Sequence, residues 1–375
     1  MDAPIERQVS ALADACAGAS TDSELFELAS ERLAKIVPFD GGAWFGTDPA
    51  TILATAPVRV ENIEAGHCET YWERECRVQD VILYRDVARS ESGAATLYEA
   101  TDSHPARSPR YTEFLAPQGY GDELRAAFRV AGSTWGVVDL LRDRSRPPFS
   151  AADMEIVRRI APAIGLALRS FAAAAQVAPG ARPFDGPGTA LFDGSGRLLS
   201  LDEQAERLFA EMGVAHWDPG TVPQAMTPIY AVVARASAIQ AGTDRGPAAA
   251  RVRALSGRWL SVHASCLRGA GGEPGPTALT IEPAKSAQIA PIIVEAYALT
   301  PREQEITRAV ARGLSNQEIG AELFLSPHTV RDHLKAIFAK VGVSSRGELV
   351  AKLFAEHYGP ALHGPEATNV THVDR

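Results

Sequence analysis

A dense run of helix-start signals between residues 299 and 358 constrains this 375-residue chain more than any other feature. In a capping box, a Ser or Thr side chain accepts a hydrogen bond from the amide three residues later, and a Glu there accepts from the amide of the cap. Three such pairs occur in this segment: Thr300 with Glu303, Ser315 with Glu318, and Ser345 with Glu348. The segment therefore predicts three helix starts from local chemistry alone.

A fourth start and two stops complete the pattern. Ser326 precedes Pro327, which predicts a capped helix that begins at the proline. Gly313 and Gly342 stand where a helix end favours a left-handed residue. Apolar residues recur at helical spacing and predict a buried face on each helix: Ile306, Val310, Ile319, Leu323, Val330, Leu334, Ile337, Phe338, Leu349, Val350 and Leu353. Four short helices in this spacing predict an all-α helix-turn-helix domain.

The third helix carries polar residues outside its apolar stripe. Arg331 and Lys335 are four residues apart, so they share a face. A helix in the DNA major groove presents its N-terminal half to bases and phosphates, where arginine pairs with guanine and lysine reaches guanine or phosphate. Between residues 326 and 346 the local charge is 4 − 1 = +3, against −9 for the chain. The second helix begins at Ser315 and Asn316, whose amides suit a phosphate oxygen.

The segment resembles the DNA-binding domain of LuxR/NarL-type (FixJ-type) transcriptional regulators. The residues that carry the resemblance are LTPRE, GLSNQEI, LSPHTV and VGVSSRGEL, in this order. The resemblance implies that the helix at 327–339 is the recognition helix, with DNA contacts expected at Thr329, Arg331, Asp332 and Lys335. It also implies dimerisation through the helix at 345–355, with contacts at Leu349, Val350 and Leu353.

Asp332 is the one acidic residue on this predicted surface. It would accept from a cytosine amino group, pair with Arg331 beside it, or remain solvated as many helix-surface charges do. The sequence leaves these three alternatives open.

The composition favours a multidomain cytoplasmic protein. A chain of 375 residues predicts two or three domains. No apolar run approaches the length of a membrane span, and the first residues lack a signal-peptide layout. The scattered cysteines indicate reduced thiols, and a Cys68–Cys76 redox pair is the weaker alternative. No metal or cofactor is expected, because the isolated histidines His67, His104 and His263 have no partner at ligand spacing.

The region 5–171 combines helical and strand patterns around an irregular middle at 51–118. Helices are predicted at 5–17, 22–36 and 154–171, and strands at 42–46, 122–130 and 134–142, the last two as a hairpin. The runs WGVVDL at 135–140 and FSAAD at 149–153 resemble a GAF domain. This resemblance implies an antiparallel sheet covered by helices, used for sensing or dimerisation.

The region 186–283 gives a second set of strand and helix patterns. Strands are predicted at 189–193, 197–200, 258–267 and 277–282, and helices at 201–212 and 228–241. The run ALFDGSGRLLSLDEQAERLF at 190–209 resembles the opening of a PAS domain, which implies another helix-covered antiparallel sheet. The remaining segments are expected to be a linker, a linker helix and a loose tail, at 172–185, 284–298 and 359–375. The expected fold class is thus multidomain α+β, with GAF-like and PAS-like antiparallel-sheet domains followed by an all-α four-helix domain at 299–358.

Four aromatic residues of the first region are candidates for lining an effector pocket: Trp44, Tyr71, Trp72 and Trp135. Charged residues near two of them would help to bind a polar ligand. The alternative is that these aromatic side chains only fill a core, and it is favoured because aromatics dominate ordinary cores.

The motifs of several enzyme classes are absent from the sequence. No phosphate-binding GxxxxGK[ST] loop, HExxH zinc motif or GxSxG nucleophile elbow occurs, so no catalytic residues are assigned. The expected function is sequence-specific binding of double-stranded DNA by a homodimer, controlled by an unknown small-molecule effector or a partner protein. Two alternatives stay open: the upstream domains form a small-molecule enzyme anchored to DNA, or they form a protein-interaction module.

Overall fold

The computed structural model describes residues 3–63, 68–174, 186–214, 224–297 and 299–350. The chain divides into two compact units. The first contains residues 1–175 and 186–284, so it takes in both sheet-forming regions, and the second contains residues 176–185 and 285–375.

The first sheet of the first unit has five antiparallel strands in the order β2-β1-β5-β4-β3. The strands are β1 (Gly41–Thr47), β2 (Ala54–Glu61), β3 (Ala94–Thr96), β4 (Tyr120–Val130) and β5 (Ser133–Asp143). The predicted hairpin is present as β4 and β5, and its turn residues Ala131 and Gly132 both have positive φ. Two left-handed residues in succession are what a two-residue hairpin loop requires.

Helices cover both faces of this sheet. Helices α1 (Ala3–Ala17), α2 (Asp22–Leu33) and α6 (Ala151–Ala174) pack together, and α6 lies on β4 and β5. On the opposite face, the ring of Phe45 in β1 packs against Tyr71 of α3 (Cys68–Cys76) and Tyr84 of α4 (Tyr84–Arg89). Helix α5 (Leu97–Ala100) follows β3. The prediction of an irregular middle was therefore wrong, because the described part of 51–118 holds two strands, three α-helices and three short 3-10 or π-helical turns. Their apolar runs are too short for periodicity to reveal them, and tertiary packing decides their structure.

The second sheet repeats the strand order of the first. Its strands pair antiparallel in the order β7-β6-β10-β9-β8, which is again second, first, fifth, fourth and third along the chain. The strands are β6 (Gly188–Phe192), β7 (Leu198–Leu201), β8 (Ala249–Arg253), β9 (Trp259–Arg268) and β10 (Pro274–Pro283). Helix α7 (Glu203–Glu211) is capped by Asp202, whose carboxylate accepts from Ala205 N at 2.7 Å.

Helix α8 (Thr227–Gln240) belongs to the cores of both sheet regions. It packs on β8, β9 and β10, and also on α3 and β2. Its sequence is apolar on almost every side, which is the pattern of a helix buried all round, and most of its side chains are buried. Asp48 adds a polar link between the regions, because it accepts from Arg251 N at 2.9 Å and from Arg251 Nε at 2.7 Å. One continuous hydrophobic cluster therefore joins the two sheets.

The second unit is helical throughout its described part. Helices α9 (Ser286–Ala296), α10 (Pro301–Ala311), α11 (Asn316–Leu323) and α12 (Pro327–Val341) are followed by a helix that begins at residue 346 and is described to residue 350. The predicted apolar faces meet in a core of Ile306, Val310, Ile319, Val330, Leu334, Ile337 and Leu349. Across the parts of the chain described in both units, no helix is long and apolar enough to span a membrane.

Candidate nucleic-acid interface

Capping boxes start α10 and α11 as the sequence predicted. Thr300 Oγ1 accepts from Glu303 N at 3.3 Å, and Glu303 Oε2 accepts from Thr300 N at 2.7 Å. The same pair of bonds joins Ser315 and Glu318, at 3.3 and 2.7 Å. The hydrogen bond from the Ser315 backbone holds the pKa of Glu318 below its usual value. Both helices are thus fixed at their first turn by charge-assisted bonds.

The third predicted box differs in its partner. Ser345 Oγ accepts from Glu348 N at 3.1 Å, but the Glu348 carboxylate accepts from Ser344 N at 2.7 Å and from Ser344 Oγ. These bonds lower the pKa of Glu348. Ser345 thus provides the side-chain cap, while Ser344 provides the backbone amide that Glu348 accepts from. The predicted helix start is confirmed, but the predicted partner of the Glu348 carboxylate is wrong.

The turn between α11 and α12 is short and fixed by backbone geometry. Phe324 ends α11 in the left-handed region with φ 55°, and Ser326 caps α12 by accepting from Thr329 N at 3.0 Å. The Thr329 hydroxyl contacts the Ser326 hydroxyl at 2.8 Å, so Thr329 is engaged in the cap. Gly342 closes α12 with φ 69°, as predicted.

Arg331 and Lys335 form an open basic face on α12. Both side chains are exposed, and neither forms an ion pair or side-chain hydrogen bond with any residue in the described ranges. Their helix is held from the other side by Val330, Leu334 and Ile337, all buried. A capped, packed helix therefore presents two uncompensated cations to solvent, which is the arrangement that phosphate and guanine contacts need.

The other two basic residues counted in this stretch are occupied. Lys340 Nζ lies 2.6 Å from Glu303 Oε2. Arg346 Nη1 donates to Asn316 Oδ1 at 3.3 Å, and Arg346 Nη2 donates to the Leu314 carbonyl. Lys340 and Arg346 thus tie α12 and the last helix to the rest of the domain. The local charge of +3 therefore overestimates the number of cations that a ligand could contact.

Asp332 has a partner that the sequence analysis missed. Its Oδ2 lies 3.1 Å from His328 Nδ1, one helical turn away, and both side chains are mostly exposed. Of the three alternatives that the sequence left open for Asp332, pairing with Arg331 is not observed, because a residue four positions away on a helix is better placed than a direct neighbour. The spacing of His328 and Asp332 was visible in the sequence and would have identified this pair.

The N-terminus of α11 keeps only part of its predicted capacity for a phosphate. The capping box uses the amides of Ser315 and Glu318, and the Asn316 side chain accepts from Arg346. Within the described part of the chain, the backbone amides of Asn316 and Gln317 have no hydrogen-bond partner. Two adjacent free amides at a helix start are suited to an anionic oxygen.

The predicted dimerisation residues do not share one environment. Leu349 is fully buried in the domain core, which removes it from a dimer contact in this conformation. Val350 is half-buried, and Leu353 lies outside the described residues.

The four aromatic residues proposed for an effector pocket do not line one site. Trp44 packs with Phe26 of α2, with ring centroids 5.9 Å apart. Tyr71 and Trp72 pack instead around Phe45, which follows Trp44 on β1 and therefore points to the other face of the sheet.

Trp135 joins neither aromatic group. It lies where the pairing of β4 and β5 shifts register, and its indole nitrogen has no hydrogen-bond partner among the residues with described positions. The sheet thus separates Trp44 from the pair Tyr71 and Trp72, and the set of four is not a single pocket wall.

A buried cluster of charges lies beside Tyr71, and the sequence analysis missed it. Arg125 of β4 bonds to three acids, with Nη1 to Glu75 at 2.5 Å, Nε to Glu123 at 2.9 Å and Nη2 to Asp139 at 3.2 Å. Its guanidinium also lies 4.1 Å from the ring centroid of Tyr84. Strand alternation predicts that Glu123 and Arg125 face solvent, whereas both are fully buried.

Comparison with known proteins identifies the C-terminal domain. Residues 297–353 match the family model described as bacterial regulatory proteins, luxR family. The transcriptional regulatory protein YhcZ of Bacillus subtilis, itself uncharacterized, is 44% identical over 62 residues, which are 16% of this chain and 28% of that protein. A Mycobacterium bovis protein assigned as an HTH-type transcriptional regulator is 50% identical over 52 residues, 14% of this chain and 6% of its own length.

The match to the family model covers the helix-turn-helix segment, residues 297–353. This chain therefore carries a LuxR-family helix-turn-helix domain at its C-terminal end, and it spans less than a third of the length of these relatives. Among solved structures, a phage VqmA–DPO complex aligns with 52% of this chain and 90% of its own, at 19% identity and a TM-score of 0.23. A TM-score that low carries no information about this fold.

Proposed function

We propose that this chain is a transcriptional regulator that binds specific DNA sites through α12, under the control of a signal or partner bound by its first unit. The proposal rests on a LuxR-family domain with an intact core and two exposed cations, Arg331 and Lys335, which have no ion pair within the described residues and lie on the predicted recognition helix. Arginine at such a position pairs with guanine in the major groove, and lysine adds guanine or phosphate contacts.

The remaining contacts follow from the same face. Thr329 lies at the start of α12 and the Asn316 amide at the start of α11, where both would meet the phosphate backbone. Asp332 would accept from a cytosine amino group, with His328 orienting its carboxylate. Ser315 contributes through the capping box that shapes the end of α11.

Two copies would bind together. A helix-turn-helix dimer places its recognition helices on half-sites about one DNA turn apart, about 34 Å. Dimerisation is proposed through the last helix, with Val350 and Leu353, and through α1 and α6 of the first unit. Light scattering at micromolar protein, with and without operator DNA, tests this part, and a monomer in both samples would contradict it.

The first unit is proposed to contain GAF-like and PAS-like sensory regions. Two five-stranded antiparallel sheets with the same strand order, each covered by helices, support this assignment. An effector of the first region would meet the aromatic group around Tyr71 and Trp72. Its binding would change the population of DNA-competent dimers.

The test is the binding of the full-length protein to fragmented DNA of its source across a salt series. The Arg331→Ala, Lys335→Ala double variant is measured in parallel. Enrichment of a few sites by the native protein, lost in a folded double variant, is the expected result and would also deliver the operator. Weak binding everywhere, equally salt-sensitive in both proteins, would mean phosphate attraction alone and would overturn the proposal.

A further inference from the structure

Six charged side chains meet in the interior of the first unit. Arg110, Arg125, Glu75, Asp80, Glu123 and Asp139 are all buried, and Arg110 Nη2 bonds to Glu123 Oε2 at 2.6 Å. Their formal charges sum to 2 − 4 = −2. An excess of negative charge is costly in such a place unless a proton or a further cation relieves it.

Protonation at the neighbouring acids Asp139 and Glu123 would reduce this excess of negative charge. Asp139 and Glu123 both bond to Arg125, and the buried Asp139 Oδ1 has no hydrogen-bond partner in the described structure. A proton on Asp139 would remove one negative charge from this buried group of acids. Burial and the adjacent Glu123 carboxylate raise the pKa of Asp139 to about 8. The nearby arginines hold the pKa of Glu123 below its usual range, although burial opposes them. Neighbouring buried carboxyl groups of which one stays protonated are a known pattern.

Helix α3 connects this cluster to the second sheet. On the side of the cluster, Tyr71 donates to Asp139 Oδ2 at 2.9 Å and Glu75 accepts from Arg125. The same helix packs against α8, which is built into the core of the second sheet. The charge cluster therefore holds α3 in position, and a movement of α3 would change its packing against α8.

We propose that the Asp139–Glu123 pair is a proton-controlled latch that holds α3, and through α3 couples the charge cluster to α8. In the closed state the pair holds one proton. Opening lets water reach the cluster, the proton passes to bulk solvent, and both groups become ordinary solvated carboxylates. This coupling is independent of the DNA-binding proposal.

The sign of the pH dependence follows from this exchange of a proton. The folded pKa of Asp139 lies above that of an exposed carboxyl group, so the closed state keeps a proton that the open state releases. Opening therefore becomes easier as the pH rises, by about tenfold per pH unit for one proton, and levels off above the folded pKa. The groups that face Asp139 are Glu123 and Arg125 of β4, Tyr71 and Glu75 of α3, Tyr84 of α4, and Arg110.

Hydrogen exchange of the full-length protein, resolved by peptide and corrected for the intrinsic pH dependence, measures this opening. Between pH 6.5 and 7.5 we expect exchange in α3 and α8 to accelerate together by up to about tenfold. Helix α6, on the other face of the sheet, keeps its protection. The Asp139→Asn variant, which carries the neutral form permanently, shows no acceleration. Parallel acceleration of all three helices, or of α3 without α8, would overturn the latch.

Asp122→Asn is the matched control, since Asp122 is a buried acid of β4 that accepts from Phe149 N at 2.7 Å and does not contact α3 in the described structure. It should retain the native response in α3 and α8. Infrared spectroscopy of the native protein gives a readout that needs no folded variant. Burial raises the pKa of Asp122 only to about 6, so this control residue is ionised at pH 7.5. A protonated carboxyl band that persists at pH 7.5 and is lost near pH 9 supports the proton on Asp139, and its absence at pH 7.5 would refute it.

Discussion

The salt dependence of DNA binding separates the two free cations of α12 from its occupied one. Each phosphate contact makes the logarithm of the binding constant fall by about 0.9 per logarithmic unit of salt. If Arg331 and Lys335 both contact phosphate, the Arg331→Gln, Lys335→Gln variant should lose about 1.8 from this slope. Between about 50 and about 200 mM salt, the native protein would then lose about tenfold more affinity than the variant.

Lys340→Gln is the control that makes this measurement decisive. Lys340 lies on the same helix, and its replacement by glutamine removes one positive charge, as each of the other two substitutions does. Its ammonium group, however, pairs with Glu303. We expect its salt slope to stay within error of the native value while the thermal stability of the domain falls. Fluorescence anisotropy with one operator duplex at five salt concentrations gives all the slopes.

A contact with a base edge gives a different signature. If Arg331 reads guanine, Arg331→Gln costs about 1–3 kcal/mol at the operator and removes preference at one base pair, with a smaller change in slope. An equal loss of slope in the Lys340→Gln variant, or none in the folded double variant, would refute the assignment of α12 as the DNA-contacting surface.

Three substitutions test the architecture. Thr300→Ala removes the cap of α10 and should cost about 1 kcal/mol, seen as a lower melting temperature by circular dichroism, and an unchanged melting temperature would contradict the capping role. Gly136→Ala should destabilise the first unit by about 1–3 kcal/mol in urea, because a methyl group there would stand 2.7 Å from Leu168 Cδ1. Asp48→Ala removes the buried carboxylate that accepts from Arg251 and should cost about 3 kcal/mol; a loss below about 1 kcal/mol in the same urea titration would mean that the pair is solvated.

The C-terminal domain was predictable because its signals are local. Each helix start depends on a Ser or Thr and on a residue three positions later, so the sequence displays both partners side by side. Predicted and observed structure differ where two neighbours compete, as Ser344 and Ser345 do for Glu348. They also differ where a partner four residues away was overlooked, as with His328 and Asp332.

The charge cluster of the first unit shows where this kind of prediction ends. Arg125 sits in an alternating strand that ordinarily turns polar residues to solvent, and its partners Glu75 and Asp139 are 50 and 14 residues away. No local sequence pattern predicts that such distant residues are in contact, because only the folded sheet and α3 bring them together. The WGVVDL run includes Asp139 and was used only to predict a GAF-like hairpin. Nothing in the run indicated that Asp139 belongs to a buried ion network.

The structure also limits how DNA binding can be controlled. Helix α12 is capped at Ser326, ends at Gly342 and packs through its own Val330 and Leu334 within its domain, so the exposed face with Arg331 and Lys335 is ordered without a signal. Under the proposed function, a signal would therefore act on the number and spacing of domains presented to DNA, since one domain contacts only one half-site. Substitutions that disturb the first unit should then change cooperativity and operator spacing preference, while leaving the affinity of a single domain for a single half-site unchanged.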